Sequence, residues 1–110
     1  VTGRGRRAKG NAAENEVCDM LAARGWPRAH RNVVSGSAGG GDIAKGPAGV
    51  HLECKRQERL AIPAWLRQAE SEADPTEIPV VVWRQNRGKW YGAIELDELL
   101  ALFALREMGT

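Results

Sequence analysis

Val17, Cys18 and Leu21 recur at the three-to-four-residue spacing of one helix face, and Gly25 follows as a stop signal. This pattern predicts a first helix over about residues 11–24. Residues 29–34 read as a short strand, and a Gly/Ser-rich loop spans residues 35–41. Two short runs, 41–45 and 50–55, then flank Gly-Pro-Ala-Gly at 46–49, which predicts a β-hairpin. Pro63 suits the first turn of a helix reaching about residue 72. The β-branched, apolar stretch 78–84 predicts a buried strand, and 89–94 a further one after the Asn86-Arg87-Gly88 turn. Leu96, Leu99, Leu100 and Phe103 make the stripe of a C-terminal helix. The order α-β-β-β-α-β-β-α predicts an α/β chain with a central mixed sheet flanked by helices.

Composition narrows the class. At 110 residues the chain suits one small domain. We place a flexible basic arm at residues 1–9 and a single domain at 10–110. No apolar run approaches the ~20 residues of a membrane span, and no signal-peptide pattern opens the chain, so the expected setting is cytoplasmic with no membrane partner. Cys18 and Cys54 lack C-x-x-C spacing, which excludes a disulfide framework and a zinc ribbon. His30 and His51 lack H-E-x-x-H spacing. No Gly-Lys-Ser/Thr follows the glycine loop, so no nucleotide cofactor is expected. The net charge is only +2, but Arg4, Arg6, Arg7 and Lys9 crowd the first ten residues with no acid among them, and Arg24, Arg28 and Arg31 follow. Such clustering points to a phosphate-rich partner; the alternative is a solvated tail.

The predicted hairpin carries the chemistry. Strand residues alternate faces, so His51, Glu53 and Lys55 share one face and Val50, Leu52 and Cys54 the other. Folding about 46–49 sets Ile43 across from Leu52 and Asp42 across from Glu53, with Cβ atoms about 4.5–5.5 Å apart. Two opposed carboxylates are destabilising unless positive charge lies between them. Lys55 could supply part of it; a divalent cation fits better, since Mg²⁺ is held by one or two carboxylates plus phosphate oxygens and water. Glu14 falls on the same helix stripe as Val17, Cys18 and Leu21, whereas Glu16 and Asp19 lie off it. An inward carboxylate requires a cation or an arginine partner. His51 either lines this site or is a satisfied structural histidine, and Cys54 is expected as a small buried hydrophobe.

Asp42-x₁₀-Glu53-x-Lys55, preceded by a helix glutamate, resembles the signature of the PD-(D/E)xK nuclease superfamily. The surrounding residues are similar to archaeal-type Holliday junction resolvases and their phage and bacterial relatives: Lys9-Gly10-x-x-Ala13-Glu14, Gly25, Arg31, Ser35-Gly36-Ser37, Gly41-Asp42-Ile43 and Leu52-Glu53-Cys54-Lys55. The resemblance covers residues 6 to about 70. It implies a restriction-endonuclease-like fold, and Asp42, Glu53 and Glu14 around Mg²⁺, with Mn²⁺ substituting. It also implies that Lys55 orients the attacking water and stabilises phosphorane charge. Ser35 or Ser37 would lie near the scissile phosphate, Arg31 close to the site, and Gln68 would complete it. Asn15 departs from the arginine that often follows the helix acid in these resolvases.

The implied function is paired symmetric nicking of four-way DNA junctions by a homodimer, with Arg4, Arg6, Arg7, Lys9, Arg31 and Ser35 on the DNA. The products would carry 5′-phosphate and 3′-hydroxyl ends, and a phage-encoded enzyme would act in the host cytoplasm. The alternatives are a nicking or repair endonuclease without junction preference and a non-catalytic nucleic-acid-binding module. Of the four tryptophans, Trp83 is expected in the core. Trp65, beside Pro63 and Arg67, is the one expected at an interface or facing DNA. The leucine-rich C-terminal helix offers further surface for a dimer.

Overall fold

In the computed structural model residues 3–33 and 41–109 are described, with side chains from Gly10 onward. The chain runs α1 (Gly3–Ala22), β1 (His30–Arg31), β2 (Ile43–Ala44), β3 (Val50–Arg56), α2 (Ile62–Glu72), β4 (Ile78–Arg84), β5 (Tyr91–Ile94), α3 (Leu96–Met108). That order is the one the hydrophobic pattern predicts. α1 starts well before residue 11, however, so the backbone of 3–9 is helical where an arm was expected. Arg, Ala and Lys dominate that stretch and favour helix, and Gly10 alone does not interrupt it.

β3, β4 and β5 form a mixed sheet in that order, β3 parallel to β4 and β4 antiparallel to β5. α2 makes the crossover that a parallel pair requires. The register aligns Leu52 with Val80 and Glu53 with Val81, so even-numbered residues of both strands share one face and odd-numbered ones the other. α1 covers the even face, where Val17, Cys18, Ile43 and Leu52 form a buried cluster with Val50, Cys54, Val80, Val82 and Trp90 packed on it. α2 covers the odd face with Trp65 and Ala69 against Val81. Trp65 is therefore a core residue, 7% exposed, and not the interface or DNA-facing aromatic expected of it. Its position on the stripe shared with Ala69 turns it onto the sheet. Trp83 packs partly buried beside that cluster, its ring tilted against Tyr91 with centroids 5.0 Å apart.

The hairpin does not form. β2 pairs antiparallel with β1, His30 opposite Ala44 and Arg31 opposite Ile43. Ile43 and Ala44 bury in the core with β1 as their backbone partner, and Ile43 meets Leu52 of β3 through side-chain packing. Backbone contact with β3 comes one step earlier and in parallel sense, through a bridge between Gly41 and Leu52. Gly41 has φ +74°, and a Cβ there would lie 2.5 Å from the Leu52 carbonyl oxygen, so only glycine permits this approach.

A polar cluster fastens α1 to the sheet. Arg56 and Arg84 are neighbours across the parallel register. Between them the Glu16 carboxylate accepts from Arg84 Nη1 and from Trp90 Nε1 at 3.3 Å, with Arg56 Nη1 4.0 Å away. α3 behaves differently. None of its residues is buried, and Leu100, Phe103 and Leu105 are 51%, 52% and 61% exposed. Of its predicted stripe Leu99 is partly buried, while Leu96, Leu100 and Phe103 stay exposed among the described residues.

Candidate active site

The open edge of β3 collects the acids. Asp42 N–H donates to the Leu52 carbonyl at 2.7 Å, and Asp42 Oδ2 accepts the Cys54 N–H at 2.7 Å. The Asp42 side chain thus occupies the place that a neighbouring strand's carbonyl would take. This brings its carboxylate against Glu53, close enough to hydrogen-bond to it. The two residues meet as the sequence analysis expects, but over a sheet edge and not as a cross-strand pair.

Glu53 itself is buried, 5% exposed, on the α2 face. Its carboxyl is pushed up to about 8, first by burial and then by the Glu72 and Asp42 carboxyl groups, each of which shares a hydrogen bond with it. Glu72 moves the opposite way, below its ordinary value, through its hydrogen bonds with Glu53 first and Gln68 second. Glu14 reaches the same edge from α1, on the other side of Asp42. Its carboxyl is raised by burial and by Asp42, and held down in part by Arg31 at 3.9 Å. Arg31 also donates to Asn11 Oδ1 at 2.9 Å, so its guanidinium is engaged by α1.

Lys55 projects from the same face as Glu53, and its Nζ donates to Gln68 Oε1 at 3.4 Å. Gln68 Nε2 in turn donates to Glu72 Oε1 at 3.2 Å. Gln68 and Glu72 stand four residues apart on α2, one turn along a single face. His51 Nε2 and Glu53 Oε1 share a hydrogen bond of 2.8 Å, and His51 Nδ1 lies 3.7 Å from Glu77 Oε1. His51 is as buried as Glu53. The structure therefore brings Asp42, Glu53, Lys55 and Gln68 into one chain of contacts, with His51, Glu72 and Glu77 added, while Glu14 pairs with Arg31 and reaches Asp42 only through its electrostatic field. Glu72 was missed, although its spacing from Gln68 is a signal that could have found it; Glu77 has no such signal. Cys54 packs against the α1-side core, and burial pushes its thiol up, away from reactivity.

Four carboxyl groups here, on Glu14, Asp42, Glu53 and Glu72, crowd around the cations of Lys55 and Arg31, and Glu14 and Glu53 are both raised in part by neighbouring acids. An oxygen-rich set short of positive charge fits a divalent cation. Asp42 and Glu53 are the pair that would hold it. Among the described residues, the three whose ligand atoms lie within 4.8 Å of one another are His51, Glu53 and Glu72, so of the expected set Glu14, Asp42 and Glu53 only Glu53 belongs to that group. Ser35 and Ser37 lie outside the described residues, as do the side chains of Arg4, Arg6, Arg7 and Lys9. No described helix is long and apolar enough to cross a membrane.

Comparison with known proteins agrees with this chemistry. A family model described as phage putative PDDEXK endonuclease matches residues 5–107. No curated protein and no solved structure gives a significant match. The family match bears out the PD-(D/E)xK superfamily and the phage relative; archaeal-type junction resolvases are a finer assignment than it reaches. It spans every element that builds the β3 edge, from α1 through α2 to β5, and the chain belongs to the phage putative PDDEXK endonuclease family.

Proposed function

We propose that this chain is a divalent-cation-dependent DNA endonuclease that cuts branched DNA, with four-way junctions as its preferred substrate. The observation that carries the nuclease reading is the buried Glu53 against Asp42, with the Lys55 ammonium two positions along the same strand face. Asp42 and Glu53 would hold Mg²⁺, or Mn²⁺ in its place, and the ion would supply Lewis acidity toward the scissile phosphate and lower the pKa of a water. Asp42 is held ready by the Cys54 N–H, which fixes its carboxylate at the strand edge. Lys55 is steered by Gln68 and places positive charge where phosphorane charge accumulates. Glu14 acts on the same centre through Asp42, and Arg31 tempers that acid pair. The basic residues Arg4, Arg6, Arg7 and Lys9, together with Ser35 or Ser37, would grip or approach the phosphate backbone, a sequence-blind contact that weakens as salt rises.

Junction preference is supported by the likeness of the Ser35-Gly36-Ser37 and Gly41-Asp42-Ile43 segments to those of junction resolvases. A homodimer would supply the two sites that paired nicks need. Helix α3 is the surface we assign to it, because Leu100, Leu102, Phe103 and Leu105 are all left exposed along it. The test is incubation of a labelled four-way junction and a matched linear duplex with Mg²⁺ or EDTA, alongside sedimentation of the protein. Paired symmetric nicks on the junction alone, in Mg²⁺ only, from a dimer are the expected result. Equal cutting of both substrates leaves the same chemistry without junction preference, and no cutting of either DNA in Mg²⁺ or Mn²⁺ overturns the nuclease reading.

A further inference from the structure

His51 is a buried imidazole fixed on several sides. Its Nε2 meets Glu53 Oε1 at 2.8 Å, its Nδ1 faces Glu77 Oε1 at 3.7 Å, and both acids are largely buried, their side chains 7% and 13% exposed. A Cβ added to Gly41 would lie 3.0 Å from His51 Nε2 and 3.1 Å from Cε1, so the Gly41 backbone closes one side of the ring. Pro79 is its register partner on β4. Glu77 is itself held, since its Oε1 accepts the Asp74 N–H at 2.9 Å. Each ring nitrogen of a buried histidine needs a partner, and here both partners are carboxyl groups. One of them is the carboxylate that borders Asp42.

We propose that His51, braced by Glu77, is a positioning residue that aims the Glu53 carboxylate at the cation shared with Asp42. The proposal rests on the reading of Asp42 and Glu53 as metal ligands. Glu53 has competing neighbours, with Glu72 also within hydrogen-bonding reach. The hydrogen bond to His51 Nε2 holds Oε1 and so limits how far the carboxyl can turn toward Glu72. Without it, Glu53 swings to Glu72 and the Asp42–Glu53 pair opens. Partners of this kind, which orient a ligand without touching the metal, commonly change metal affinity by about 10–100-fold when lost. Gln can place an amide nitrogen near the position of Nε2, so His51→Gln preserves the donor, whereas His51→Leu fills the space without one.

The test is titration of the full-length protein and its variants with Mn²⁺, followed by calorimetry and by the spin-resonance signal of free Mn²⁺, with cooperative unfolding checked for each. His51→Leu should weaken Mn²⁺ binding by about 10–100-fold. His51→Gln should restore most of that loss, and Glu77→Gln, which removes the brace alone, should weaken binding only a few-fold. In cleavage, His51→Leu should lower the rate at limiting Mn²⁺ and recover at high Mn²⁺, with KM for DNA unmoved. Wild-type affinity in a folded His51→Leu, or His51→Gln as weak as His51→Leu, overturns the proposal. Should His51→Leu not fold, wild-type affinity in Glu77→Gln and a tenfold loss in His51→Gln do the same. Nitrogen modulation of bound Mn²⁺ at direct-coordination strength would make His51 a ligand and also overturn it. If wild type takes up no Mn²⁺, or Asp42→Asn and Glu53→Gln bind it as wild type does, the metal-ligand reading itself falls, which separates the two failures.

Discussion

Glu14 and Glu16 leave the same helix two residues apart and end in opposite electrostatic situations. Glu16 meets two arginines and an indole N–H, so one acid is outnumbered by cations and hydrogen-bonded on several sides. Glu14 has Arg31 at 3.9 Å but lies in the field of Asp42, behind which stand Glu53 and Glu72, so acids outnumber the cations on this side. The first cluster carries an excess of positive charge, and the buried Nε atoms of Arg56 and Arg84 are left without a hydrogen-bond partner among the described residues. The second is stabilised only by a shared proton, a cation or a phosphate-bearing substrate with its own counterions. Structural and functional carboxylates are thus told apart here by the sign of the local imbalance and not by burial, since Glu14 and Glu16 are both only half-buried.

The largest effect should come from removing a charge on the acid-rich side. Asp42→Asn and Glu53→Gln should reduce junction or duplex cleavage to background while DNA binding persists, and in EDTA both should unfold at higher temperature than wild type. Residual cutting at the normal rate would place the site elsewhere. Next in size, Lys55→Ala should lower kcat by about 10²–10³-fold, the scale of one lost charge-stabilising donor, with Mn²⁺ affinity little changed. Single-turnover cleavage at saturating metal measures it.

A smaller contrast concerns pH. Glu53 has its folded value raised from an ordinary 4.5 to about 8, so between those values the folded chain holds a proton that the unfolded chain has released. Stability in EDTA should therefore be highest below this window and fall as pH rises through it. The lowered Glu72 contributes with the opposite sign, but below its ordinary value, outside that window. Urea unfolding from pH 5 to pH 8 should show the decline. Millimolar Mg²⁺ should flatten it, and Glu53→Gln should remove it. The smallest effect is at the Glu16 cluster. Glu16→Ala leaves Arg84 and Arg56 facing each other and should cost about 1–3 kcal/mol in urea unfolding, the scale of unsatisfied buried donors, with cleavage per folded molecule unchanged. A loss of cleavage beyond the loss of folded protein would mean that the two clusters are coupled.

Much of the site was legible because strand parity is local. Alternation alone puts Glu53, Lys55 and His51 on one side of β3, and one helical turn ties Gln68 to Glu72. The inward stripe of α1 singled out Glu14 from Glu16. The meeting of Asp42 and Glu53 was reached through a hairpin that does not exist. The chain achieves it with a glycine-permitted bridge and a side-chain acceptor at a strand edge, neither of which has a periodic signature. Trp65 misled for a related reason: its neighbours Pro63 and Arg67 are exposed, but its own stripe with Ala69 points at the sheet.

The order of elements, the faces of each helix and strand, and the candidate ligands Asp42 and Glu53 with the neighbouring Lys55 follow from the residues alone, since they depend on backbone geometry within a few positions. Which segment lies beside the free edge of β3, that β2 pairs with β1, that Glu16 is enclosed by Arg56 and Arg84, and that His51 stands between Glu53 and Glu77 were decided only in three dimensions. Such pairings are settled by competition among distant segments for the same backbone donors and buried surface, and no local pattern records its outcome.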